Sequence, residues 1–473
     1  MSTDAPRTRR AQARRRRGRA FAGTFAIVVG VLALLGAAGA AANVAQGPRA
    51  TDVFVDPVAA AAASGSRLIV TTTQTLADVD PSQVTITPTA PFRVDTSGRS
   101  IGVRFDLPLW DDTEYTVEIA DVTTVGGGPS STLTQTFRTP PAEVHLLQRG
   151  RADGDIIYRS DLTGLDAVPV FTHPHIEDFR ATAQHLVVSV RDDDDRASLI
   201  VTDLDGENPR ELRLPGDGHV SNLQTADRGE RIGFTYSDAE LSADSGRESI
   251  LFTASLGEPD AQPTEIEVTG ADPRVAEWRF VPDTDAILLL SFDGSLLLAG
   301  SGPDAGEATA LGSALAIEGI ARGSSEAVVD RFDSTVVIDL TDASESPLVE
   351  STADLGRTNS VTPLADGSTL RAVGVLDGDV PTGRTSIVLV DPEGQARELT
   401  EVDAADSVLQ VCVSPSARYA ALLVAPDAVE NRFDTYRLPL PGRTETRIIE
   451  LADGDEVVTL TGALISWCRI PPA

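Results

Sequence analysis

The sequence predicts an all-β ectodomain that follows one N-terminal transmembrane helix. Three observations carry this expectation. Phe21–Ala42 is an uncharged apolar run with arginines behind it. Residues 51–141 read as short alternating strands separated by turn residues, the pattern of a β-sandwich. Residues 142–473 repeat an apolar strand pattern with a period of about 45–50 residues, which is propeller-like.

The apolar run comes first. No charged residue occurs between Arg19 and Arg49. A hydrocarbon core of ~30 Å needs about 20 apolar residues as a helix, and this run is long enough. A helix also satisfies its own backbone polar groups, as lipid demands. Residues 1–20 carry Arg7, Arg9, Arg10, Arg14–Arg17 and Arg19 against Asp4, so they form a cytoplasmic tail and the rest lies outside. The rival is a cleaved signal peptide, because Ala-x-Ala triplets crowd residues 37–45. Its apolar region would span only ~7–15 residues, so length favours the retained anchor.

Composition narrows the function. The 473 residues carry a net charge of −32. With +7 on the tail, the remainder carries −39. An acidic surface keeps an exported protein soluble. Nucleic acid is disfavoured as a partner, because binding it needs clustered positive charge. Every basic residue is Arg. The only cysteines are Cys412 and Cys468, so the cores rather than a disulfide framework must supply stability.

The first outer segment, 51–141, has candidate strands at Arg67–Thr73, Gln83–Pro88, Ser100–Phe105, Tyr115–Ile119 and Thr132–Thr139. Tyr115 opens a strand just after a turn, where a tyrosine corner would sit. The stretches Val84–Pro88, Val103–Phe105, Asp112–Val117 and Thr134–Pro140 resemble bacterial Ig-like domains of the surface-layer type. The resemblance implies a spacer or adhesive module. The Cys pair of antibody domains is missing here.

The second outer segment, 142–473, has its clearest repeat at Val411–Val424, VCVSPSARYAALLV. Others start at Phe179, Leu223, Trp278, Ile320 and Val361. The pattern resembles the TolB-type (WD40-like) propeller repeat, with Ser414-Pro415 and Asp366-Gly367 keeping its core letters. Six full units follow residue 176. Leu464–Ile470 looks like a seventh inner strand with nothing after it, and 143–172 looks like three strands with no inner strand before them. Joined, they make a seventh blade from both ends and remove the free edges. Degenerate repeats leave six or eight blades as alternatives. Cys412 and Cys468 share a Cys-x-x-Pro context, which places them at equal height on neighbouring inner strands. They either pair, as an oxidising compartment permits, or stay as buried thiols.

No reaction is written in the chain. His173, His175 and Asp178 lack the second ligand pair that a structural zinc wants. Asp192–Asp195 lacks the spacing of a calcium loop. No cofactor is expected, and no nucleophile elbow or phosphate loop occurs. The expected function is an extracytoplasmic binding or scaffold protein, with an envelope protein or cell-wall polymer as partner. The alternative is an envelope hydrolase or lyase using Glu177, Glu277 or Glu318 near the channel mouth. The expected partner surface is a crescent of five long loops on one face: Gln148–Asp155, Arg191–Ser198, Ser237–Ser249, Leu376–Ser386 and Pro426–Thr435. Its candidate contacts are Arg191, Asp192, Asp193, Arg196, Arg247, Asp377, Arg384, Arg432 and Phe433.

Overall fold

The computed structural model describes residues 23–35, 47–226, 229–242, 245–258, 260–302 and 307–472. The tail 1–20 and much of the 21–42 segment lie outside these residues. Residues 23–35 form a helix whose Phe25, Ile27, Leu32, Leu34 and Leu35 are exposed. These are 13 of the 22 residues of the expected span, and no described helix is long and apolar enough to cross a membrane.

The chain divides into two compact units. The first comprises residues up to 55, 67–104 and 115–137. Its strands are β1 (Ala50–Phe54), β2 (Arg67–Thr72), β3 (Val84–Thr87), β4 (Phe92–Ser97), β5 (Ser100–Phe105), β6 (Glu114–Val122) and β7 (Ser131–Arg138). They form a four-stranded sheet, β1-β2-β5-β4, and a three-stranded sheet, β3-β6-β7. Alternate residues are buried: Leu68 and Val70, Val84 and Ile86, Ile101 and Val103, then Tyr115, Val117 and Ile119. That period of two is what one buried sheet face demands. Tyr115, the second residue of β6, is buried and stacks on Phe137 with ring centroids 5.9 Å apart.

The second unit comprises 56–66, 105–114 and 138–473. It is a β-propeller. Six antiparallel four-stranded sheets follow one another in chain order, starting from the inner strands Ile176–Ala181, Gly218–Thr225, Val275–Phe280, Ala316–Ile320, Arg357–Pro363 and Ser407–Val413. Consecutive inner strands lie side by side. A three-stranded sheet, Glu143–Arg151, Gly154–Asp161 and Val168–His173, supplies the seventh blade. The chain's end completes it: Leu147 and Ala463 exchange both backbone hydrogen bonds at 2.8 Å. The stretch after Ala463 is less regular than an inner strand. It pairs as an isolated bridge and then turns at Ser466–Trp467. The Ser466 hydroxyl substitutes for one ladder partner by accepting from His145 N–H at 3.0 Å.

Second strands are almost wholly apolar because both faces are covered by neighbouring blades. Ile287–Leu290 and Tyr419–Ala425 are buried throughout. Packing is close enough to demand glycine at one position. A Cβ on Gly233 would lie 2.5 Å from the ring of Trp278, the fully buried anchor of the next blade.

Polar side chains then tie each inner strand to the next. Arg180 Nε donates to Leu223 O at 3.0 Å, Gln224 Nε2 to Trp278 O at 2.7 Å, and Arg279 Nη2 to Ile317 O at 3.0 Å. Glu318 accepts from Val361 N–H at 2.7 Å, and Thr362 donates to Val411 O at 3.4 Å. Gln410 Nε2 donates to Ile470 O at 2.9 Å, and Arg180 Nε reaches back to Arg469 O at 3.2 Å. The seven joints are all spanned.

Cys412 and Cys468 are bonded, with Cα atoms 5.6 Å apart, inside the range a bridge tolerates. The bond joins the sixth inner strand to the closing segment and encloses a sequence separation of 56 residues. In the chain-entropy model a loop of this length is worth ~4 kcal/mol. Cys468→Ser is expected to cost the propeller about that much, read from the denaturant midpoint under non-reducing conditions. A loss below about 1 kcal/mol would show that the seam closes without the bond.

Candidate functional site

In an antiparallel meander the second-to-third strand connections and the blade-to-blade connections emerge on one face. Two of the five loops expected to be long there are not loops. Glu143–Arg151 and Gly154–Asp161 pair up to Arg151–Gly154, and Thr369–Asp377 and Val380–Val390 pair up to Asp377–Val380. Both are extended ribbons with tight turns, because Asp-Gly and Gly-Asp at their tips suit positive φ. The other three are irregular, and 426–444 is the longest.

That segment is a strap drawn inward. Leu440 is buried in the core shared with Leu147, Ile176 and Leu423. Asn431 ties its two ends together, donating to Pro426 O and Arg443 O. Asp434 takes a 2.8 Å ion pair from Arg149, whose side chain is 8% exposed. The Tyr436 hydroxyl donates to Asp155 at 2.7 Å, and its ring stacks on His175 with centroids 3.8 Å apart. Burial, and then the bond to Asp155, push this phenol up. Arg437 N–H donates to Glu177 at 2.9 Å, while its guanidinium meets Asp195 at 2.7 Å and His219 at 3.0 Å. Arg191 completes the cluster with Glu177 at 3.0 Å, Asp195 at 2.5 Å and His175. Hydrogen bonds from Arg191 and Arg437 hold Asp195 down at about 2.

The candidate contacts therefore separate. Arg191 is an internal brace rather than an exposed contact. Asp192 caps its own hairpin, accepting from Asp194 N–H and Arg196 N–H. Arg247 is fastened to Asp238 at 2.7 Å over the Tyr236 ring. Arg384 pairs with Glu401 at 2.7 Å on its own blade. Asp193, Arg196, Asp377, Arg432 and Phe433 are exposed, as is Val429 beside the last two. His173 and His175 are absorbed locally, with His175 bonded to Glu177 at 3.0 Å. Tyr436 and Arg437 lie just past Thr435, where the expected loop ends, and are not among its expected contacts. Their signal was the run of alternating charge and aromatic residues from Arg432 to Arg437.

Along the axis, the inner strands enclose a cavity of about 140 Å³. Gln224, Arg279, Glu318, Ile320, Arg322, Thr362, Val411, Trp467 and Arg469 are among its lining residues. Arg322 Nη2 donates to Trp467 O at 3.2 Å. This bond joins the fourth blade to the seventh, so it crosses the axis. Of the three acids expected at the channel mouth, Glu177 holds the strap. Glu277 accepts from Ile317 N–H at 3.0 Å and Glu318 from Val361 N–H at 2.7 Å. Each is committed to backbone. Burial, with Asp330 and Glu277 nearby, pushes Glu318 up to about 7 against the bond from Val361. Burial also pushes Asp178 up to about 6, although Arg180 at 2.7 Å and Arg149 oppose it.

No protein-family profile matches the chain, and no curated protein matches it. Many solved structures do. The β-propeller domain of Cps50 (Swd1) from Myceliophthora thermophila is 13% identical, with a TM-score of 0.41, over 62% of this chain and 89% of that one. A candidate 6-phosphogluconolactonase from Bacteroides uniformis is 13% identical, TM-score 0.43, over 68% and 97%. A candidate TolB from Agrobacterium tumefaciens is 13% identical, TM-score 0.34, over 68% and 90%. These are similarities to propellers; the strand order above is what assigns the fold.

Glu318 gives a pH test. Its folded value lies above the unfolded 4.5, so ionisation costs stability that grows as pH rises from about 4.5 to about 7. Glu318→Gln keeps an acceptor for Val361 N–H and cannot ionise. The variant is expected to match wild type below pH 4.5 and melt higher above pH 7. Equal melting temperatures across that window would refute the assignment.

Proposed function

We propose that this chain is a membrane-tethered, extracytoplasmic binding protein whose propeller recognises a polar envelope partner. Phe21–Ala42 serves as an uncleaved anchor with the arginine tail inside. The exposed apolar side chains of the helix at 23–35 support this. The first unit serves as an Ig-like spacer of the surface-layer type. Its four-plus-three strand arrangement and disulfide-free core support that reading.

One observation carries the binding role. On the loop face, exposed tips with mixed charge stand on a strap and hairpins that are themselves braced by ion pairs. Arg196, Asp193, Arg432 and Phe433 project from segments whose roots are fixed by Arg191–Asp195 and Asp434–Arg149. Braced roots reduce the ordering cost of binding. Mixed charge favours a salt-sensitive protein or polymer interface over a small-molecule site. An envelope hydrolase or lyase remains the rival reading, with Glu318 near neutrality as its proton carrier.

Two tests follow. On intact cells, protease is expected to remove the propeller and leave the N-terminus protected; a mature protein starting near residue 43 would end the anchor proposal. For binding, full-length protein in detergent is presented with cell-wall glycan and envelope proteins. Arg196→Glu with Arg432→Glu and Phe433→Ala is expected to weaken capture at least tenfold, about 1.4 kcal/mol or more, with melting temperature nearly unchanged. Deleting the strap is a poor test, because its anchors at Glu177, Asp155 and Arg149 stabilise the ring. Capture unaffected by the triple variant would move the interface elsewhere.

A further inference from the structure

The axial cavity runs against the charge of the molecule around it. The chain carries −32, yet the charged residues lining the cavity are Arg279, Arg322 and Arg469 against Glu318. Arg279 Nη1 and Nη2 donate to Trp278 O and Ile317 O, but its buried Nε has no hydrogen-bond partner among the described residues. Arg322 is held across the axis by Trp467 O. The remaining wall is mainly apolar, with Ile320, Val411, Val413, Trp467 and Ile470, and carries the polar Gln224, Thr225, Thr362 and Ser414. We propose that this cavity binds a small organic anion, a carboxylate on a compact apolar body, with its charge on the arginines and its body against Trp467 and the valines.

Size and chemistry narrow the ligand. A dry cavity of roughly 150 Å³ accommodates a benzene-sized molecule. The 140 Å³ here therefore suits an acid built on about six carbons. An inorganic anion would leave the apolar wall facing water. Guanidinium groups match carboxylates in shape as well as charge. Entry is from the end shared with a wider recess, which Thr225, Arg322, Trp467 and Arg469 also line.

Glu318 tunes the site. It faces Asp330 on the next strand of its own blade, Glu277 and Arg279 on the preceding inner strand, and Val361 N–H on the following one. Held up to about 7, it is neutral in mild acid and ionised in mild base, where it repels an anion. Affinity therefore falls as pH rises through that value.

The test is calorimetric titration of full-length protein in detergent with benzoate, benzamide and inorganic phosphate. Benzoate is expected to bind one to one, with benzamide and phosphate at least tenfold weaker. Between pH 6 and pH 8 benzoate affinity should fall by up to about tenfold in wild type and stay level in Glu318→Gln. Arg322→Gln should weaken benzoate at least tenfold. If that variant misfolds, Arg322→Lys replaces it, with an intermediate loss expected. No benzoate binding at millimolar concentration, benzamide equal to benzoate, or phosphate binding that benzoate does not displace overturns the proposal. So does a pH dependence that survives in Glu318→Gln.

Discussion

The propeller depends on a closed circuit of side-chain to backbone hydrogen bonds between neighbouring inner strands. Inner strands of adjacent blades diverge and share no ladder, so their facing carbonyls and N–H groups need other partners. Arg180, Gln224, Arg279, Glu318, Thr362 and Gln410 supply them. A buried polar group left unmade costs about 1–3 kcal/mol, so each joint is worth more lost than it is gained. The circuit uses the acids and arginines that would otherwise look catalytic. Glu277 and Glu318 each serve a backbone N–H on the next blade that requires an acceptor.

Much of this fold was legible because burial on both sides writes a strong signal. Ile287–Leu290 and Tyr419–Ala425 are continuous apolar runs, and such runs recur once per blade. Two half-blades at the ends of the repeat implied closure, since a propeller with an open edge would expose a ladder. Local chemistry beyond that was read less well. Asp153-Gly154 and Gly378-Asp379 were turn signals, yet the polar residues flanking them suggested loops. Residues 376–381 extend past their sheet into water, where apolar alternation has no reason to persist, while Arg149 and Asp155 beside the other turn are buried polar anchors of the strap. The closing stretch reads as a strand from its apolar letters. It turns instead, since Cys468 must reach Cys412 and Trp467 must reach Tyr419, on which it stacks at 6.0 Å.

The site was legible in its exposed charges and illegible in its pairings. Nothing local distinguishes Arg191, a brace, from Arg196, an exposed tip five residues later that pairs only with its neighbour Asp194 among the described residues. The distinction depends on Glu177 and on Arg437, which is 246 residues further along the chain than Arg191. The same holds for the axis. Arg322 and Trp467 are 145 residues apart, and only ring closure brings them together. Long-range juxtaposition of this kind leaves no mark on periodicity or spacing.

The blade assembled from both ends has a mechanical meaning. The seventh-blade strand that faces the closing segment begins at Glu143. That strand faces the closing segment through only a few hydrogen bonds, at Leu147–Ala463 and His145–Ser466. Peeled alone, so short a pairing would open like a zip. The Cys412–Cys468 bond passes the load covalently from the closing segment to the sixth blade, whose strands are fully laddered. A load on that strand is thus shared across two blades.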